Sequence, residues 1–225
     1  MQENINADTK EIVLRIIATH VNKEALIIFS KELAQAVTGM AAGVINYLGG
    51  RPKVSQSIHL FSFLLPKKEI QIQLNMGEKT IPITINSSNV YKNPKKDSPK
   101  PKQNDFSEKK YVTPLINLAY ARSGDKGDDA NIGIIARKKS YLQFIESALQ
   151  PSSVSHFFKH VVKGDVFKWN LPGINGINFL LKKALGGGGM ASLNIDPQGK
   201  AYAQQLLEYP IPVTKEIFDE FKNKR

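Results

Sequence analysis

The sequence predicts an α/β (α+β) fold, and three observations predict it. Short apolar runs of strand length alternate with stretches of helical period, first over residues 11–85 and again over 110–225. A stretch dense in lysine and proline separates the two halves, with almost no large apolar side chains to support a core. Hydrophobic residues make up 41% and charged residues 23% of the 225 positions, ordinary proportions for a globular protein.

In the first half, residues 11–19 (EIVLRIIAT) carry β-branched side chains on both sides of the alternation and read as a buried strand. In residues 23–37, Ala25, Ile28, Phe29, Leu33, Ala36 and Val37 recur at helical spacing. Residues 38–50 are loop-like. Residues 57–65, 70–74 and 80–85 are further strand candidates, the last two joined by a turn at Met76-Gly77-Glu78-Lys79. Gly49-Gly50-Arg51-Pro52 could offer donors to an anion but reads best as a connector. Residues 1–87 form one unit, and 88–110 an extended Lys/Pro tether.

The second unit, 111–212, begins with a strand over 115–120 and continues with a central strand over 132–136, apolar on both faces. Helices are expected over 140–149, stopped by Pro151, and over 152–161, capped by Ser152 or Ser153. A strand over 165–170 leads to Pro172 and a helix over 173–185, with Ile174, Ile177, Leu181 and Ala184 buried and Asn175, Asn178 and Lys182 on another face. Residues 191–195 read as a strand. Asp196 and Pro197 start a helix that packs through Tyr202, Leu206 and Leu207, and 213–225 is a short amphipathic tail helix.

Site chemistry concentrates in the loop between the first two strands, Ser123-Gly124-Asp125-Lys126-Gly127-Asp128-Asp129 followed by Asn131. Glycine lets backbone N–H groups converge on a bound group, the aspartates bring oxygen ligands or acid/base capacity, and Lys126 brings a positive charge. A tight turn also uses Gly and Asp, since Asp caps its own backbone. Four consecutive glycines at 186–189 exceed what a helix C-cap needs, and Gly187 and Gly188 could lie flat against a ligand or against the Gly124–Gly127 loop. Lys200, in the first turn of its helix, opposes the helix dipole and suits a nearby anion. Asn175 and Asn178 could hold a carbonyl or phosphate.

Three blocks, residues 121–137 (ARSGDKGDDANIGIIAR), 171–181 (LPGINGINFLL) and 184–204 (ALGGGGMASLNIDPQGKAYAQ), resemble the C-terminal domain of AtuA-type acyclic terpene utilisation proteins. They follow the family's order across about 110–212. Residues 38–43 (TGMAAG), 49–52 (GGRP) and 60–66 (LFSFLLP) resemble the tail of that family's larger N-terminal domain, most of which has no counterpart here. The resemblance implies a ferredoxin-like α/β plait, one open sheet face suited to dimerisation, and a link to breakdown of acyclic terpenoids or related acyl-CoA compounds. It supplies no catalytic residue list.

Composition narrows the function classes. Without cysteine there is no disulfide framework, thiolate metal site or thiol nucleophile, which suits a reducing cytoplasm. His156 and His160 fall four apart but lack a neighbouring third ligand, while His20 and His59 stand alone, so no metal centre is expected. There is no GxGxxG, P-loop, GxSxG or HExxH pattern. The net charge of +11 is spread along the chain and is mostly lysine, which argues against specific nucleic-acid recognition, and no run is long enough to span a membrane. Two functions stand. In one, Asp128 is an acid/base group or Mg²⁺ ligand and Lys126 the partner of a small acyl or carboxylate ligand, with Ser123, Gly124, Asp125, Gly127, Asp129, Asn131 and the glycine run around it. No cofactor is required. In the other, the same residues form a rigid turn in a non-catalytic binding or assembly domain that forms a homo-oligomer or partners a larger metabolic enzyme.

Overall fold

The structure, a computed structural model, describes residues 12–45, 50–84 and 111–222. The chain divides into two compact units, one formed by residues 1–60 with 109–225 and the other by 61–108. The expected Lys/Pro tether lies outside the described residues.

Residues 12–19 form no strand, and Ile12, Val13 and Leu14 are 71%, 84% and 66% exposed. A strand exists through its ladder, and no described segment pairs with this one. Helix α1 (Lys23–Gly39) forms as the spacing predicts, with the Asn22 side chain accepting from the Glu24 N–H at 2.8 Å. Ala25, Phe29, Leu33 and Ala36 are half-buried, and Ile28 faces water. Residues 57–65 likewise form no strand. In the 61–108 unit, β1 (Ile72–Met76) and β2 (Lys79–Ile83) pair as a hairpin, with Gly77 at φ +60° in the predicted turn.

The remaining elements are β3 (Tyr111–Pro114), α2 (Leu115–Leu118), β4 (Ala119–Lys126), β5 (Asp129–Ala136), α3 (Leu142–Ala148), α4 (Pro151–Phe157), β6 (Val166–Leu171), β7 (Gly176–Leu181), α5 (Tyr202–Leu207), β8 (Pro210–Val213) and α6 (Lys215–Lys222). Strands β4-β5-β7-β6 form one antiparallel sheet, and β3 pairs with β8 in a second. One face of the larger sheet presents Ala119, Ala130, Ile132, Ile134, Ile177, Phe179 and Leu181, all buried. The helical layer supplies Phe144 and Ile145 from α3, Val154 from α4, and Tyr202, Ala203 and Leu206 from α5. Helix and antiparallel sheet in two layers make the ferredoxin-like plait that the resemblance implies. Central placement of β5 follows the prediction, although its second face is open, with Ile135 43% exposed.

Several elements differ from the reading of the sequence. Residues 115–118 turn as a helix because Leu115 and Leu118, three apart, both bury fully, and Asn117 Nδ2 donates to Thr113 Oγ1 at 2.7 Å. The helix expected over 173–185 is a 3₁₀ turn (Pro172–Ile174) followed by strand β7. There Ile177, Phe179 and Leu181 bury at every second position, and pairing with both β5 and β6 decides the outcome. A Cβ on Gly176 would stand 2.8 Å from the Ile134 carbonyl oxygen, so that close strand needs glycine. Helix α4 starts at Pro151, which leaves Ser152 and Ser153 inside it rather than capping it. Residues 191–195 form no strand. Asp196 accepts from the N–H groups of Lys200 (3.0 Å) and Ala201 (2.7 Å), but Gly199 at φ +60° delays the helix to Tyr202. Helix α6 is amphipathic as predicted, with Ile217 inward and a Lys215–Asp219 pair at 2.6 Å outward.

Candidate functional site

The Asp/Gly loop is the tip of the β4–β5 hairpin. Register runs to Lys126 opposite Asp129, so Gly127 and Asp128 alone make the turn, with Gly127 at φ +70°. The tip is fastened to the glycine run. The Asp128 carbonyl accepts from the N–H groups of Ala184 and Leu185 at 3.0 Å each, and its side-chain Oδ1 accepts from the Gly187 N–H at 2.6 Å. A Cβ on Gly188 would stand 2.2 Å from the Gly127 carbonyl oxygen, so the two backbones pack where only glycine fits. Gly186, Gly187, Gly188 and Gly189 all lie at positive φ, between +50° and +96°. That run costs about 1–2 kcal/mol for each residue with a Cβ, which explains four glycines in a row.

The other two aspartates turn elsewhere. Asp129 forms an ion pair with Lys182, and its second oxygen accepts from the Lys183 N–H at 2.9 Å. Lys183 is a non-glycine residue at φ +49°, held there by this bond. Asp125 Oδ1 lies 3.4 Å from Lys200 Nζ, while Lys126 Nζ donates to the Asp125 carbonyl at 2.9 Å. A backbone hydrogen bond within Asp125 itself holds its carboxyl below the usual range, and Lys200 and Lys126 act in the same direction. Two ammonium groups thus meet at Asp125, Lys200 at its carboxylate and Lys126 at its carbonyl, beside Gly124, whose Cβ position would be 3.5 Å from Lys200 Nζ.

Ser123 is 8% exposed, and its Oγ donates to the Gly199 carbonyl at 2.6 Å and accepts from the Ala203 N–H at 2.9 Å, tying β4 to the start of α5. Asn131 Nδ2 donates to Asn178 Oδ1 at 3.4 Å on the open sheet face. Asn175 lies at the other end of β5, at φ +49°, its carbonyl accepting from the Ala136 N–H at 3.1 Å. Asn175 and Asn178 therefore do not share a helix face. The structure brings Asp128, Gly127, Gly187 and Gly188 together, and groups Asp125 with Gly124, Lys126 and Lys200.

A shallow surface depression of about 460 Å³ is lined by Lys139, Ser140, Leu142, Gln143 and Glu146, and none of the predicted site residues lines it. Among the described residues no three His, Asp or Glu side chains gather as a metal would need. The His156–His160 spacing loses its meaning because α4 ends at Phe157. No helix among the described residues is long and apolar enough to cross a membrane.

Sequence reasoning overlooked the side chains on the open sheet face. Phe167, Trp169 and Leu171 recur at every second position of β6, and they are 45%, 40% and 37% exposed. The signal was legible as an alternation whose apolar side has no covering element.

Neither a curated protein nor a solved structure matches the chain. One family model matches residues 113–212, the AtuA ferredoxin-like domain, across the blocks whose resemblance the sequence carries. The chain therefore contains an AtuA ferredoxin-like domain over residues 113–212.

Proposed function

We propose that this domain is a non-catalytic binding and assembly module, and that its Asp/Gly block is a latch rather than a reaction centre. One observation carries the reading: Asp128 Oδ1 and the Asp128 carbonyl are both taken by N–H groups of the 184–187 stretch. Asp129 is likewise taken by Lys182 and Lys183. A general base or Mg²⁺ ligand needs an oxygen aimed at substrate, whereas Asp128 Oδ1 and both Asp129 oxygens are engaged by groups of the domain itself. The link to acyclic terpenoid or branched acyl-CoA breakdown would then rest on what the module holds in place, in a homo-oligomer or beside a larger enzyme.

The test compares Asp128→Ala with Asp128→Asn. The alanine variant loses the bond to Gly187 and is expected to cost about 1–2 kcal/mol, read as a fall in Tm of roughly 4–10 °C. The asparagine variant keeps an Oδ1 acceptor and should lose less. The latch reading fails if Asp128→Ala melts with the wild type yet abolishes binding of an acyl-CoA or a divalent ion.

A second reading is favoured by Lys126 and Lys200 converging on Asp125. Two ammonium groups at an exposed position could take the carboxylate or phosphate of an acyl ligand. A thermal-shift titration with acyl-CoAs, repeated with Lys200→Ala, separates the readings, because only this one expects stabilisation that the variant removes.

A further inference from the structure

We infer that the open face of the β4-β5-β7-β6 sheet is a stacking platform for single-stranded nucleic acid. Register lays this face out in rows of four, one residue from each strand in the order β4, β5, β7, β6. Gly124, Asn131, Leu180 and Phe167 form the first row. Arg122, Gly133, Asn178 and Trp169 form the second, and Tyr120, Ile135, Gly176 and Leu171 the third.

On β6 the Phe167 and Trp169 rings lie with centroids 6.0 Å apart and planes within 29° of each other. They are aromatic surface left open to water on a rigid strand. On the opposite edge Tyr120 is 60% exposed, with the Arg137 guanidinium 3.8 Å from its ring centroid. In the middle of the face Gly133 has no side chain beside the Asn131–Asn178 amide pair, Ile135 and Leu180 stand in the rows to either side, and Ile174 packs against Gly176. Sheets that expose aromatic rings beside amides and cations hold unpaired bases by stacking, and they need no sequence-specific contact to do so.

Charge separates this occupant from a second copy of the chain. The protein carries a net charge of +11. Within the three rows there is no acidic side chain, and Arg122 makes no hydrogen bond or ion pair among the described residues. The one acid on the face of β4, β5 and β7 beyond these rows, Asp129, is already paired with Lys182. An apolar dimer seam would be interrupted by two amides and an arginine, whereas a phosphate backbone is drawn to that arginine. The scarcity of arginine argues only against base-specific recognition, since stacking tolerates any base. The inference rests on the module reading above, but its test is separate, because none of the residues it alters belongs to the Asp128 latch.

Trp169 is the chain's one tryptophan, so its emission reports directly on the platform. The intact protein is titrated with oligo(dT) and oligo(U) of roughly 12 nucleotides, a length within the usual site sizes. Saturable quenching of Trp169 is expected, weakening between about 50 and about 200 mM salt. Anisotropy of a labelled oligonucleotide should show affinity falling roughly tenfold or more in Phe167→Ala and Trp169→Ala. Arg122→Gln, which alters no buried group, should weaken binding and reduce its salt dependence while the melting curve stays in place. Absence of quenching, or equal binding by a duplex of the same length, overturns the proposal. So does a dimer in sedimentation that Trp169→Ala or Arg122→Gln dissolves, since the second copy would then be what covers the face.

Discussion

Residues 12–19 and residues 131–136 read almost alike: IVLRIIAT in one, NIGIIA in the other. Their fates are opposite. The later run lies in β5 between two strands, with Ile132 and Ile134 at 0% and 1% exposure. The earlier run pairs with no described strand and leaves Ile12, Val13 and Leu14 largely in water. β-Propensity is thus a capacity that a ladder on each side must realise. The largest expected effect sharpens this contrast. Ile132→Ala should cost about 3–4 kcal/mol in urea unfolding, because it removes buried methylenes and leaves a cavity. Ile12→Ala should cost below about 0.5 kcal/mol. Equal losses would break the contrast and place the first run in a buried setting.

The next effect compares two neighbours in the glycine run. Gly188 and Gly189 share positive φ, yet an added Cβ meets the Gly127 carbonyl oxygen at 2.2 Å in one case and nothing within 4 Å in the other. Gly189→Ala carries backbone strain alone, about 1 kcal/mol. Gly188→Ala carries that strain and must also push the hairpin tip away, for a total near 3 kcal/mol. Thermal melts of the pair measure the latch, and identical curves would show that the tip is not held by close backbone packing.

These pairs also show what the sequence could and could not disclose. Gly77 in its turn, the amphipathic α6 and the apolar β5 were legible, because turn chemistry and short-range periodicity decide them. Residues 173–185 were not. Ile174, Ile177, Leu181 and Ala184 satisfy a helical period while Ile177, Phe179 and Leu181 satisfy a strand period, and pairing with β6 on one side and with β5, more than thirty positions away, on the other resolves the tie. The meeting of the hairpin tip with the glycine run was expected from composition, since both stretches exceed what a turn and a cap require. That Asp128 Oδ1 and both Asp129 oxygens bond within the domain was not, because an aspartate that latches a backbone and one that awaits a ligand look the same as text.

The smallest effect concerns the buried end of the same core. Tyr202 is 2% exposed, and its hydroxyl donates to the Ala184 carbonyl at 2.8 Å, so it ties α5 to the residue whose N–H already holds Asp128. Burial, with the Asp196 charge adding to it, pushes its phenol up to about 12. An unfolded tyrosine ionises near pH 10. Between those two values the unfolded chain has lost a proton that the folded chain keeps, so stability falls as pH rises. Below about pH 10 the contribution is complete. Tyr202→Phe should therefore cost about 1 kcal/mol at neutral pH, the net worth of one hydrogen bond. It should also lose less stability than the wild type from about pH 10 toward 12, so the two curves converge there. A constant gap between the urea midpoints across that window would mean that the phenol is reached by water in the folded state, and that the latch is looser at its root than at its tip.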